Sequence, residues 1–276
     1  MREDKAQEAA MTDKANEGSK DKAAYLYGVA ESGEKTSLGR IGLAGEEVYT
    51  IPFNDLCAVV HTCPPQPYKS EDNEVVKGWV LTHEKVVETA WERFGTILPA
   101  GFDTIIKGQE DDTSEENIKK WLKLDYTNLK VKLDKMRDKA EYVVQIFWDP
   151  MDIADVIAKT DPEIRNLNLN MQSKSPGMAY MLKHQSEIIL KREMEKKAGL
   201  CFEDFYVRIK KCVDEIRVEK IKKMDKKKQM IMNLSCLVDR RNSKQLGEEL
   251  EIINDQEGFS VRYTGPWPPY SFVTLG

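Results

Sequence analysis

The chain has 276 residues, 41% of them apolar and 32% charged, with a net charge of −5. That is enough chain for two ordinary domains with real cores, a composition too apolar for a disordered protein, and a charge too mild to point to nucleic acid. No apolar run reaches the ~18 residues of a membrane span, the N-terminus lacks the apolar core of a secretory signal, and the five scattered cysteines make no disulfide framework, so a cytoplasmic protein with no membrane partner is expected.

Residues 1–23 mix charges of both signs with small residues and read as a disordered tail. Ala24–Ala30 is the first strand, ended by the Gly/Ser-rich stretch Glu31–Gly39. Glu47–Ile51 is a second strand, and the apolar run Leu56–His61 a third, buried one, stopped by the prolines around Cys63–Pro67. Glu74–Phe94 places Val76, Val80, His83, Val87 and Trp91 on one helical face, and Thr96–Ile106 follows as extended chain. Together these predict a small α+β domain over residues 24–107.

Gln109–Glu116 holds five carboxylates with no Gly turn between them, which suits a solvated linker better than a calcium loop. With the apolar stripe of a helix over Ser114–Lys139, it makes residues 108–140 an acidic linker and connecting helix. Glu141–Trp148 is a strand that opens a C-terminal domain over residues 141–276. Two helices follow it, with Pro162 in the first turn of the second. Ser175-Pro176-Gly177 starts a long helical arm over about 178–228, with a break expected at Gly199. Met230–Val238 is a strand, Ser243 a candidate cap for a helix over Lys244–Asn254, and Gly258–Tyr263 the last strand. The predicted fold class is α+β in two domains, the C-terminal one ferredoxin-like with the helical arm inserted.

Candidate chemistry is sparse. Cys57, His61 and Cys63 lie close together, but zinc needs a second pair of ligands and Cys57 sits in an apolar strand, so buried core residues are the better reading and no metal is expected. His83 neighbours Glu84, yet adjacent helix positions point apart, which favours a packing histidine over an acid–base dyad. His184 beside Lys183 reads the same way. Gly39–Gly45 resembles a phosphate loop without its Lys-Ser/Thr and reads as a hairpin loop. Arg208–Lys228 carries ten basic and four acidic residues, but its apolar stripe through Ile209, Ile216 and Ile221 predicts a solvated helix face, and no aromatic interleaves the lysines. No catalytic constellation and no cofactor site emerges.

The end of the chain is more specific. Gly265-Pro266-Trp267-Pro268-Pro269-Tyr270-Ser271-Phe272 sets three prolines and three aromatics in a stiff, extended segment that cannot be a central strand. This Pro/aromatic tail over 265–273 closely resembles the GPWPPYSF signature of the GvpF/GvpL family of gas vesicle accessory proteins. Tyr25-Leu26-Tyr27-Gly28-Val29 is similar to the family's first strand, and Ile51–Val60 to its next block. Ile97–Thr104 resembles its "LPxxFGT" segment, with Asp103 where Gly is usual. Ser175–Lys183 resembles "SPGxAYLxK", and Leu237–Arg240 resembles "LVDR". The order is kept along nearly all of residues 24–273.

The resemblance implies a non-enzymatic accessory or minor structural role at the gas vesicle, with the shell protein GvpA and other accessory Gvp proteins as partners. On residue chemistry, Trp267, Tyr270 and Phe272 are the candidate protein contacts, because aromatics dominate interface energetics. The competing reading is that the tail folds back over its own core. The alternative function is an enzyme with a small-ligand site in an interdomain cleft.

Overall fold

The computed structural model describes residues 22–109, 112–221 and 228–275. The predicted disordered tail therefore lies almost wholly outside the described residues, as do Glu110 and Asp111 of the acidic linker and residues 222–227 of the basic run. The fold is a mixture of helix and sheet divided into two compact units, one running to Ala140 and resuming at Trp267, the other spanning Glu141–Pro266.

The first unit is built on β1 (Ala23–Glu31), which is buried along almost its whole length. With β2 (Ser37–Gly39), β3 (Val48–Phe53), β4 (Leu56–Cys63), β5 (Ile97–Pro99) and β6 (Ile105–Ile106) it forms a sheet of order β2-β3-β4-β1-β5, with β6 also paired to β1. The β1–β4 pairing is antiparallel from Ala23↔Cys63 to Glu31↔Leu56, with a bulge between Leu26 and Gly28. A Cβ on Gly28 would lie 2.6 Å from the Leu98 carbonyl oxygen, so only glycine lets β5 approach here.

Helix α1 (Asn73–Phe94), capped by the Asp72 carboxylate on the Glu74 N–H, covers the face that carries Tyr25 and Tyr27. Leu26 points the other way, where it shares a cavity wall with Trp121 of α2 (Ser114–Leu124). β1 is thus sandwiched, which explains its unbroken apolar character. The single connecting helix expected over Ser114–Lys139 is instead two, α2 and α3 (Tyr126–Met136), bent at Asp125, where φ −100° and ψ 11° leave the helical region. The hydrogen bonds nearly bridge the bend: Asp125 N–H reaches Trp121 O, and Leu129 N–H reaches Asp125 O. Sequence periodicity alone misses such a break. α3 is fastened to the sheet by ions: Lys130 meets Glu31 and Asp55, Arg137 meets Glu31 at 2.9 Å, and Tyr126 donates to Asp55.

The second unit has β7 (Lys139–Trp148), α4 (Pro150–Thr160), α5 (Pro162–Met171), α6 (Pro176–Lys210), β8 (Glu215–Val218), β9 (Gln229–Asp239), α7 (Ser243–Asn254) and β10 (Phe259–Trp267). Its sheet has the order β10-β7-β9-β8. β9 is buried from Met230 to Val238, and Phe205 and Ile209 of α6 and Leu246, Leu250 and Ile253 of α7 bury their side chains in the same unit. α4 and α5 each start at a proline behind a capping aspartate, Asp149 and Asp161.

Two expectations for the arm are corrected. The helix runs through Gly199 without a break, because an exposed helical glycine costs only ~1 kcal/mol against the rest of a 35-residue helix. It ends at Lys210, and Glu215–Val218 is a strand paired antiparallel to β9, so the predicted arm over 178–228 is shortened. Glu215-Ile216-Arg217-Val218-Glu219 alternates charged and β-branched residues, a period-2 pattern that the lysine-rich surroundings disguised as a helix face. Ser243 is the first residue of α7 and Asn242 its cap position, a one-residue shift.

β10 is longer than expected and takes in Gly265 and Pro266, at the sheet edge where a missing N–H is tolerated. Gly265 sits at φ +131°, and a Cβ there would lie 2.8 Å from both the Glu141 carbonyl oxygen and the Tyr142 ring. The glycine of the tail signature is thus fixed by both backbone and space. Gly265→Ala is expected to destabilise the protein by about 1–3 kcal/mol, read as a lower denaturation midpoint in urea with an unchanged slope.

Candidate functional site

A group of buried polar side chains in the first unit gathers between β1, β4, α1 and the loop after β5. Tyr25 Oη lies 2.9 Å from His83 Nδ1, and His83 Nε2 lies 3.3 Å from the Ala100 carbonyl. A carbonyl can only accept, so Nε2 carries the proton, Nδ1 is the acceptor and Tyr25 donates to it. Tyr25 Oη in turn accepts the Asp103 N–H at 3.0 Å, and the Asp103 carboxylate accepts the Tyr68 N–H at 2.9 Å. Tyr27 Oη accepts the Leu43 N–H, which pins the short helical turn Leu43–Gly45 of the Gly39–Gly45 loop. His61 stacks on Tyr25 with ring centroids 5.0 Å apart and meets Tyr68 Oη through Nε2.

Asp103 occupies φ +65°, a left-handed conformation that favours glycine and that Asp tolerates better than most residues. Its carboxylate bond to Tyr68 is what a glycine there could not supply.

The hydrogen bonds of these groups tie β1, α1 and the loop after β5 together. Burial pushes His61 and His83 down to about 4, so both are neutral near pH 7. Burial pushes the Cys57 and Cys63 thiols up to about 12 and about 11, which removes their thiolate character. Among the described residues, no group of three or more His, Cys, Asp or Glu is placed to hold a metal ion. Glu84 does not form a dyad with His83, whose nitrogens face Tyr25 and Ala100. His184 lies on an exposed stretch of α6.

The three tail aromatics are placed differently from one another. Phe272 is buried, Tyr270 is half-buried, and Trp267 is 39% exposed at the end of β10. Pro268 and Pro269 are buried between them, and a short helical turn over Tyr270–Phe272 follows. From Trp267 onward the tail groups with the first unit, although it follows the second in sequence. Thr274 O accepts from Lys132 Nζ of α3 at 2.8 Å. Beside the tail, a cleft of about 520 Å³ lies between Tyr270, Val273 and Leu275, the α1 residues Val80 and Glu84, and Phe102.

A second surface lies in the other unit. Leu169 of α5 and Met178, Tyr180, Met181 and Ile188 of α6 are all exposed, although Ile164, Ser186 and Ile189 of the same helices are buried. Among the described residues no helix is long and apolar enough to cross a membrane. In the sequence Met181 and Ile188 read as part of the arm's apolar stripe; in the structure both are exposed, and the first buried residue of the helix is Ser186.

Two outcomes follow from the histidine–tyrosine network. Tyr25→Phe leaves His83 Nδ1 and the Asp103 N–H without their partner and should cost about 1–3 kcal/mol of unfolding free energy. The folded-state histidine values lie below the ordinary 6.5, so the unfolded chain binds the protons that the folded one refuses. The histidines' contribution is therefore complete above about pH 6.5 and is lost as pH falls from there through about 4. Melting temperatures taken across that window should fall with acidification, and less steeply for His83→Gln than for the parent chain.

The family model described as "Gas vesicle synthesis protein GvpL/GvpF" matches residues 23–274. Gas vesicle protein L1 of Halobacterium salinarum is 30% identical over 257 residues, 90% of this chain and 89% of that protein. Gas vesicle protein L of Haloferax mediterranei is 30% identical over 238 residues, 84% of this chain and 72% of that protein. The crystal structure of the gas vesicle protein GvpF from Anabaena sp. PCC7120 shares the fold with a TM-score of 0.71 at 20% identity, covering 92% of this chain and 99% of that one. With a match from the first strand to the end of the tail, the chain belongs to the GvpL/GvpF family of gas vesicle proteins.

Proposed function

We propose that this chain is a non-enzymatic accessory factor of gas vesicle assembly that binds the shell protein GvpA and other accessory Gvp proteins, and that it works at the gas vesicle in the cytoplasm. Family membership supports the gas vesicle part of the reading. The observation that carries the binding part is the exposed apolar set on α5 and α6, Leu169, Met178, Tyr180, Met181 and Ile188. A shell subunit that is apolar before it is built into a wall needs a soluble partner that covers it, and unbranched methionines adapt to such a surface. The enzymatic alternative has no observation in its favour among the described residues.

The second unit is read here as ferredoxin-like. Its elements run strand, helices, strand, strand, helix, strand, and the strand order β10-β7-β9-β8 places the first and third strands in the middle. In this reading α4, α5 and α6 take the place of the first crossover helix, and the extra length is the arm.

Of the tail residues, Trp267 is the one we assign to partner contact, since it keeps 39% of its surface in solvent. Phe272, with its neighbours Pro268 and Pro269, favours the fold-back role.

Truncation after Thr264 should therefore lower the melting temperature by several degrees, whereas Trp267→Ala, which keeps Pro268, Pro269 and Phe272 buried, should lower it by less. Co-purification from cells expressing the whole gas vesicle gene set tests the binding reading. The tagged parent chain should recover GvpA or accessory Gvp proteins, and Met181→Glu with Ile188→Glu should recover at least about tenfold less at an unchanged melting temperature. Recovery of no gas vesicle protein by the parent chain, with normal vesicles in a deletion strain, would remove the proposal.

A further inference from the structure

The cleft beside the tail has a chemical character of its own. Part of its wall is apolar, with Val80 of α1, Pro99, Phe102, Val273 and Leu275 contributing, and the rest is polar. A second cavity of about 280 Å³ shares Ala100, Gly101, Thr104 and Leu275 with it. Two acceptors among the lining residues have capacity to spare, beside the hydroxyls of Tyr270 and Thr274. The Ala100 carbonyl keeps a lone pair after accepting from His83. The Thr104 hydroxyl spends its proton on the Gly101 carbonyl at 2.7 Å and is left with lone pairs.

At the rim stands the Glu84 carboxylate. Among the described residues it has no ion-pair partner, whereas Glu88, one turn on, pairs with Lys85 at 3.7 Å, and Lys132 is held by the Thr274 carbonyl. Desolvation and the Glu88 charge both raise the Glu84 value, as they would for a carboxylate that lacks its cation.

We propose that this cleft receives a lysine or arginine side chain on an apolar segment of a partner protein, with the aliphatic stem against Val80 and Phe102 and the cationic head at Glu84. The inference rests on the reading of the chain as a binding protein and names the chemistry of one partner element. Apolar walls with acceptors and a carboxylate at the mouth suit a side chain whose stem is hydrocarbon and whose tip only donates. A carboxylate-tipped or purely aliphatic side chain would leave those acceptors opposed or unmet, which is the basis of discrimination.

The test is an NMR titration of the full 15N-labelled chain with the peptide acetyl-Leu-Lys-Leu-amide, its norleucine analogue, and hexylammonium. The lysine peptide should shift the amides of Val80, Glu84, Gly101 and Thr104. The norleucine peptide, hexylammonium and Glu84→Gln should each weaken binding by about fivefold or more, the scale of one partly solvated charge contact with its flanking apolar contacts. Glu84→Gln should keep the parent melting temperature, because the carboxylate has no ion pair to lose. Equal binding of the lysine and norleucine peptides, shifts confined to other regions, or hexylammonium binding as well as the peptide would each overturn the proposal. Such a result alongside recovery of gas vesicle proteins by the parent chain would remove this site and leave the assembly role standing.

Discussion

The first unit depends on the burial of Tyr25 and Tyr27 in a strand that is paired at both edges and covered on both faces. A buried hydroxyl without a partner costs about 1–3 kcal/mol, and two of them on one strand would consume a large share of a domain's net stability. The surrounding elements can be understood as the answer to that constraint. α1 brings His83 to Tyr25, the turn after β5 brings the Asp103 N–H, and the loop after β2 brings the Leu43 N–H to Tyr27. Each of these segments is irregular or polar where it meets the tyrosines, and each is fixed because it does so. The Gly39–Gly45 loop, suggestive of phosphate binding in isolation, has its N–H spent on a tyrosine.

The tail adds a second constraint, one of chain order. Residues up to Ala140 and from Trp267 onward belong to one compact unit, with Glu141–Pro266 inserted between them. Folding of the first unit therefore needs a closure across more than a hundred residues, and loop-closure entropy grows slowly enough with length to permit it. What secures the closure is rigidity at its end. Gly265 turns where no side chain fits, the prolines limit the conformations that follow, and Phe272 is buried at the end of them. A stiff segment loses less entropy on docking than a flexible one, so a short tail can hold its place with few side chains.

Much of this was legible in the residues, and the failures share a cause. Periodicity located α1 within a residue and marked β1, β4, β7 and β9 by their apolar runs, because burial on one or two faces leaves a strong pattern. It failed where two patterns overlapped. Asp125 interrupts a stripe that continues on both sides of it, and Glu215–Val218 alternates inside a lysine-rich stretch whose charge dominated the reading. The hydrogen-bonded tyrosine–histidine network was not legible at all. His61 and His83 look like isolated candidates in sequence, and their partners Tyr68, Tyr25 and Ala100 come from separate elements. The tail was recognised as special from composition, but its return to the first unit is a property of the fold.

The two surfaces differ in what they can recognise. The exposed apolar residues of α5 and α6 include two methionines, so in the proposed reading they would cover an extended apolar partner without demanding one geometry. The cleft beside the tail carries one acidic side chain among the described residues, Glu84, so in the proposed reading it would select a side chain by charge and length. A protein that had only the first would bind exposed apolar surface indiscriminately, and one that had only the second would bind too weakly to shield anything. The two sets of residues fall in different units, so in the proposed reading breadth and selectivity would be set independently. Selectivity then depends on the position of α1, and α1 is held by the bond between His83 and Tyr25. The buried tyrosine that organises the first unit thereby also sets where Glu84 stands, and the chemistry of the rim follows from the packing of the core.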